Sequence, residues 1–462
     1  MAKPTLRAPT QHTFILAWIG CFVLAHIAIV AFVTDLDQSF MLGDRAQDRM
    51  AKLSSLLHAG DLNQTLRVLF TKGIPGDYAF YAPGYLMAGV YGIFIQALAL
   101  YAVALFMLYR MSEDLFSATA ARITVIVYSL LPATIFHPHA FVSEAICNPL
   151  LIIATALSVR LMMPGPAATA EAREMPTGRL MALGLALAGL VMTRYIYLVV
   201  PFFVCALLAL AGWRQARAGA WQAGLVLAVA LAPAGLFALA QQAASSQYGA
   251  SDSVGGLRSN LFLRAERMAA MAQGASPLPA SVVAQRRIAP EAFIGYAADN
   301  PGPLARTVVS DAANIIANPG VAMVAGRFLK FFDLRERSYR DLNKWREARD
   351  KGGALAVAKL LWETSPVGFI MNAAGLLAWG VLLLVALFGA WRFARDARHT
   401  LPVKLLLLGM PVLLLGLTSV LAGYTRWDHR SPTEFIIAMG FALGAMALAE
   451  LMRRRKSDTS QA

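Results

Sequence analysis

The chain has 462 residues, of which 58% are hydrophobic and 15% are charged, and its formal net charge is +14. Because a soluble protein must solvate its surface, about 25% of its residues are usually charged, so this composition excludes an ordinary soluble enzyme. The positive charge does not indicate nucleic-acid binding, since the Lys and Arg residues flank apolar runs and no aromatic-bearing basic surface accompanies them.

Apolar runs of about 20 residues, the length that crosses a bilayer as a helix, recur from residue 14 to residue 452. They predict an all-α polytopic membrane protein with about ten transmembrane helices. The predicted spans are 14–33, 85–110, 119–136, 143–163, 179–193, 196–212, 221–241, 367–391, 403–423 and 433–452. The first run is too long for a signal peptide and no small-residue cleavage site follows it, so we interpret it as a membrane helix.

Basic residues in the short loops predict the orientation, because cytoplasmic loops are enriched in Lys and Arg. Lys3 and Arg7 indicate a cytoplasmic N-terminus, and with ten spans the C-terminus is cytoplasmic too. Every Arg-rich loop then falls on the inner side. Their basic residues are Arg110, Arg122, Arg160, Arg173, Arg179, Arg214, Arg217, Arg392, Arg395, Arg398, Lys404 and Arg453 to Lys456. Such loops, without disulfides outside, are typical of a bacterial inner membrane.

The longer and more polar segments fall on the outer side, and they predict three regions. Residues 1–241 form an N-terminal transmembrane catalytic module with a first outer loop at 34–84. Residues 242–366 form a large periplasmic loop whose helices pack on the membrane surface. Residues 367–462 form the C-terminal transmembrane helices and a cytoplasmic tail.

Carboxylates follow the first predicted span on the outer side. Asp35 and Asp37 come directly after it, and Asp44 and Asp48 follow. A solvated loop or a helix cap explains any one of them, but together they are candidates for a base or a cation site. Glu144 opens the fourth predicted helix, where it would either cap the N-terminus or face the same outer cavity.

Positive charge also gathers on the outer face. Arg194 is the sole charged residue across about thirty apolar positions, and topology does not explain it, because an outer Arg opposes the orientation rule. The planar guanidinium suits a phosphate. The turn Arg426–Arg430, which includes His429, and Lys330 in the long loop add to the same face. This enrichment predicts binding of an anionic lipid headgroup or a lipid phosphate.

No cofactor is predicted. The histidines in His137–Pro138–His139 are a weak signal for a metal, because two ligands in a short turn do not complete a site. The three cysteines, Cys21, Cys147 and Cys205, lie in apolar runs and indicate neither a disulfide nor a CxxC metal motif.

The order of short motifs along the outer face resembles the GT-C glycosyltransferases, and within them the protein O-mannosyltransferase and aminoarabinose transferase type. The matching pieces are Gly43–Asp44, Pro83–Gly84–Tyr85, Leu131–Pro132, Ser143–Glu144, Asn300–Pro301–Gly302 and Arg430–Ser431–Pro432–Thr433–Glu434. The resemblance implies a GT-C-like bundle with outer-face loop helices. It also implies transfer of a sugar from a polyprenyl-phosphate donor to a lipid, glycan or protein acceptor on the periplasmic face.

The resemblance implies roles for residues as well. Asp44 matches the position of the general base toward the acceptor best, Asp37 and Asp48 are the alternatives, and Glu144 is a further catalytic candidate. The family often has an aromatic residue where this chain has Asp48. The residues expected to bind substrates, with the cations stabilising the departing phosphate, are Asp48, Tyr81, Tyr85, Arg194, Lys330, His429 and Arg430.

Two other classes of protein use similar features. A transporter or flippase of lipid-linked saccharides would carry ionisable residues within its spans and broken helices in matching halves, whereas these spans carry few charges. A polysaccharide polymerase or ligase also uses lipid-linked substrates and large outer loops. Both stay open as alternatives to the glycosyltransferase.

Overall fold

The computed structural model describes residues 10–32, 44–58, 76–163, 177–212, 216–248, 255–271, 278–318, 320, 342–364, 366–421 and 427–459. Over these ranges the chain forms helices and turns and contains no β-strand, so the all-α prediction is confirmed.

The first half of the chain supplies helices α1 to α9. Their bounds are α1 (Thr10–Phe32), α2 (Asp44–His58), α3 (Gly76–Leu115), α4 (Ala118–Leu130), α5 (Pro132–Phe136), α6 (Glu144–Met162), α7 (Thr177–Thr193), α8 (Val199–Ala211) and α9 (Ala216–Tyr248). Two short 3-10 helices interrupt this order, η1 (His137–His139) before α6 and η2 (Tyr195–Leu198) before α8.

The second half supplies helices α10 to α17. Their bounds are α10 (Gly255–Met271), α11 (Ala280–Gln285), α12 (Pro290–Asp299), α13 (Pro301–Ala317), α14 (Leu342–Thr364), α15 (Pro366–Arg395), α16 (Leu401–Leu421) and α17 (Glu434–Thr459). A third 3-10 helix, η3 (Trp427–Thr433), leads directly into α17.

Seven of the described helical segments are long and apolar enough to cross a bilayer, and an eighth span results if α4 and its bent continuation Pro132–His139 count together. These eight correspond to eight of the predicted spans. The other two predicted spans, 179–193 and 196–212, form the shorter apolar helices α7 and α8, of 17 and 13 residues. All the predicted spans are therefore helical, and the protein is a polytopic membrane protein.

Helix α3 is bent back on itself near its beginning. The backbone leaves the helical region at Ala88 and Gly89, and Gly89 has a φ of 58°, which favours glycine. The two halves touch at Gly84 and Gly92, where a Cβ added to Gly92 would lie 1.8 Å from the Gly84 carbonyl oxygen. The Gln96 amide accepts from the Gly84 N–H at 3.0 Å and donates to the Phe80 carbonyl. The last residues of the outer segment that was predicted at 34–84 are thus helical, and they form the first half of α3.

One end of the bundle is basic, and we call it the basic end. Phe116, between α3 and α4, packs its ring against Phe393 of α15, and neighbouring Ser117 lies 3.9 Å from Met446 of α17, so these elements meet there. Arg160 pairs with Asp114 at 3.3 Å. In the loop after α15, hydrogen bonds from Arg398 lower the pKa of Asp396 to about 2.

Helices α10 to α13 form a small unit, here called the outer unit, with its own apolar core around Phe262, Met268 and Phe293. The unit packs against α16 and η3, so it covers the end of the bundle opposite the basic end.

Asp311 of α13 lies inside the outer unit and accepts hydrogen bonds from Arg264 and, at 2.8 and 2.9 Å, from Arg267 of α10. Burial lowers the pKa of the Arg264 guanidinium.

The Asp311→Ala substitution should unfold the outer unit at a lower temperature. Arg264 is 0% exposed, and it would keep a buried charge without its carboxylate. Such a loss costs about 3–5 kcal/mol. Thermal unfolding of the detergent-purified protein measures the effect, and Asp299→Asn, on the exposed surface of α12, is the matched control. Equal melting temperatures for the Asp311 variant and the unaltered protein would contradict the prediction.

Candidate active site

Glu144 and Arg194 meet at the bundle end opposite the basic end, which we call the site end. Glu144 begins α6, and Arg194 directly follows α7 with an extended backbone. The Arg194 guanidinium forms a close ion pair with Glu144 Oε1, and its Nε donates to Ser143 Oγ at 2.7 Å. The Glu144 side chain is 6% exposed, whereas that of Arg194 is 33% exposed. A buried carboxylate therefore orients the guanidinium of an arginine whose side chain stays partly exposed.

A third charged residue, Asp77, joins this pair and was not predicted. Gly76 lets the first turn of α3, which carries Asp77, lie directly against α7. A Cβ on Gly76 would be 2.3 Å from the Met192 carbonyl oxygen. Asp77 is 7% exposed and interacts electrostatically with Arg194. A sequence signal exists in Gly76–Asp77, the third Gly-Asp pair of the first outer segment, but this stretch lies in the predicted loop at 34–84.

The two predicted tyrosines lie on the half-helix of α3 that borders the site. Tyr81 is 1% exposed, its hydroxyl donates to the Val142 carbonyl at 3.1 Å, and its ring packs on Phe141 at 4.5 Å. Tyr81 thus fixes the segment that leads into Glu144. Tyr85 is half-buried, with its ring edge to face with His58 at 6.3 Å.

Arg430 lies in a second cluster at the same end. It is 1% exposed, its Nε donates to Glu434 at 3.1 Å, and its guanidinium lies 4.1 Å from the centre of the Trp379 ring. It also donates to the carbonyls of Ile315, at 2.6 Å, and Asn318. To contact a substrate phosphate, Arg430 would have to leave these partners, so its predicted role in substrate binding stays a prediction.

A buried polar chain joins the two clusters through α6. Asn148, one turn after Glu144, lies 2.9 Å from His137 Nδ1, and its carbonyl accepts from Ser431 at 3.3 Å. On the far side of η1, the ring nitrogens of His26 and His139 lie 2.9 Å apart. No residue of this polar series is among the predicted site residues, because nothing in a single sequence pairs positions so far apart.

The remaining predicted residues are described incompletely. Asp37 and Lys330 lie outside the described residues. Asp44 and Asp48 lie in the first turns of α2, which packs against α3, and only their backbone is described. His429 is half-buried in η3. Within the described part of the chain, no group of three or more His, Cys, Asp or Glu side chains is placed to hold a metal ion.

Together these features define a polytopic, all-α membrane protein with an acidic and cationic cluster at one end of its bundle. No family model matches the chain, and no curated protein matches it. Among solved structures, the chain is similar to the crystal structure of ArnT from Cupriavidus metallidurans bound to undecaprenyl phosphate. The TM-score is 0.38 and the sequence identity 15%, over 93% of this chain and 78% of that one.

Proposed function

We propose that this protein is an integral membrane glycosyltransferase that moves a sugar from a polyprenyl-phosphate donor to an acceptor at the periplasmic face of a bacterial inner membrane. The observation that carries the proposal is Arg194, whose side chain is 33% exposed and is held by Glu144 and Ser143 at the site end. The motif order along the chain, which resembles the GT-C glycosyltransferases, supports it. The acceptor is a lipid, a glycan or a protein of the cell envelope.

The proposed side of the membrane follows from charge. Arginines and lysines crowd the basic end, from Arg110 and Arg160 to Arg453 and Arg454, and cytoplasmic ends of membrane helices carry such an excess. In this orientation both termini are cytoplasmic and the site end is periplasmic. Residues 1–241 then contain most of the catalytic groups, 242–366 form the periplasmic loop and 367–462 complete the bundle.

The chemistry needs a proton acceptor and a cation. The carboxylate of Asp44, or of Asp37 or Asp48, takes the proton from an acceptor hydroxyl or amine. The freed oxygen or nitrogen attacks the anomeric carbon from the opposite face as the bond to the phosphate oxygen breaks, so the configuration inverts. Arg194 stabilises the negative charge that develops on the departing lipid phosphate, with Lys330 as a second predicted cation. Glu144 keeps the guanidinium in place.

Two measurements test the proposal. Lipids extracted from cells that lack the protein should accumulate one polyprenyl-phosphate sugar, which identifies the donor. The protein purified in nanodiscs should then cleave this donor only when an extract containing the acceptor is added. Movement of the intact donor across a vesicle membrane, with no bond cleaved, would instead identify a flippase and would overturn the proposal.

A further inference from the structure

The C-terminal end of α13 is capped by side chains from the transmembrane bundle. The last carbonyls of a helix have no partner within it and need donors from elsewhere. Arg430 donates to the carbonyls of Ile315 and Asn318, and Trp379 Nε1 donates to that of Ile316 at 2.7 Å. Asn318 continues the chain directly after α13. The end of an outer-unit helix is thus fixed to α15 and η3.

Arg430 suits this position electrostatically as well as by its hydrogen bonds. A helix carries partial negative charge at its C-terminus, so a cation there is stabilising. The ring of Trp379 lies 4.1 Å from the guanidinium, and Glu434 balances its charge at 3.1 Å. With the side chain 1% exposed, these contacts enclose it on several sides.

We infer that Arg430 is a positioning residue that docks the outer unit on the bundle, in place of its predicted role as a ligand of the donor phosphate. The docked position bears on the site, because Ser431 contacts Asn148, which follows Glu144 by one turn of α6. Arg430 and Arg194 therefore have different tasks at the same end of the bundle. Arg194 contacts the substrate, and Arg430 fixes the outer unit in its position relative to α6.

The test compares the hydrogen–deuterium exchange rates of residues 301–317 between variants and the unaltered full-length protein, each embedded in nanodiscs. Trp379→Phe keeps a ring beside Arg430 and removes only the donor to Ile316, so exchange at the end of α13 should rise about fivefold, the effect of one hydrogen bond. Arg430→Gln should raise it about tenfold or more. Trp391→Phe is the matched control, because Trp391 lies on the same helix and pairs with Arg395 4.3 Å away, at the basic end.

Arg430→Gln alone leaves Glu434 buried without this cation, which opposes folding, so the double variant Arg430→Gln, Glu434→Gln removes the ion pair as a unit. It should also expose α13 to exchange. Unchanged exchange in Trp379→Phe and in the double variant would overturn the inference. This arm needs no substrate, so its outcome is independent of the proposed function.

The kinetic arm rests on the proposed function. If Arg430 only positions the outer unit, Arg430→Lys should lower kcat and leave the KM for the donor within about twofold of that of the unaltered protein. Trp379→Phe, which touches no substrate in either interpretation, should lower kcat in the same way. A donor KM raised by Arg430→Lys alone, with normal exchange at α13, would identify Arg430 as a phosphate ligand and overturn the inference.

Discussion

The Arg194→Ala substitution should raise the KM for the polyprenyl-phosphate donor about ten- to hundredfold and change the KM for the acceptor far less. A charge-assisted hydrogen bond contributes about 1.5–3 kcal/mol, and Arg194 offers its exposed side to the donor phosphate alone in the proposed mechanism. Because the guanidinium also stabilises the leaving phosphate, kcat should fall as well. Arg194→Lys should recover part of the activity, since it keeps the charge and loses the planar fork.

The substitution also affects folding, and the controls must separate the two effects. Glu144 would be left buried without its cation, so Arg194→Ala should lower the melting temperature. The double variant Arg194→Ala, Glu144→Gln removes that unpaired charge and should recover stability without recovering donor affinity. Arg179→Ala, exposed near the start of α7, should change neither the melting temperature nor the donor KM. A normal donor KM in a stable Arg194→Ala protein would exclude the phosphate role.

The transmembrane helices could be predicted from the sequence because their signal is local. A run of apolar residues marks a span whatever lies next to it, so the prediction places the ends of even the short helices α7 and α8 within three residues. The break in α3 was harder. Its first half, Gly76 to Met87, follows a polar segment, and it is helical because it packs against the second half through Gly84, Gly92 and Gln96.

The candidate site could be predicted only where a charge was out of place. Arg194 stands out because an outer Arg opposes the orientation rule, and Glu144 because it is a carboxylate at the head of an apolar helix, where capping is its alternative role. The alternation of spans predicts both on one side of the membrane. Their direct pairing, across 50 residues, is a tertiary fact that orientation rules do not contain. Asp77 and Asn148 were missed for the same reason, since each acquires its partners from the fold of α3 or η3.

The largest loss of activity should follow from Asp44→Asn, because it removes the proposed general base. Such groups contribute about 10²- to 10⁴-fold to a rate, so kcat should fall by that factor while membrane insertion and melting temperature stay normal. Asp44 begins α2, which packs against α3, so an asparagine there keeps the shape of the helix terminus and loses the proton acceptor. Asp299→Asn, on the exposed surface of α12, is the matched control.

The Asp77→Asn substitution tests whether Asp44 or Asp77 is the general base. In the proposed mechanism Asp77 belongs to the charge balance around Arg194, so its substitution should change the donor KM by less than about tenfold and spare most of kcat. If Asp77→Asn instead gives the large loss of kcat and Asp44→Asn retains full activity, the base is the buried carboxylate beside Arg194. The acceptor would then have to reach the start of α3, where Asp77 lies beside Arg194.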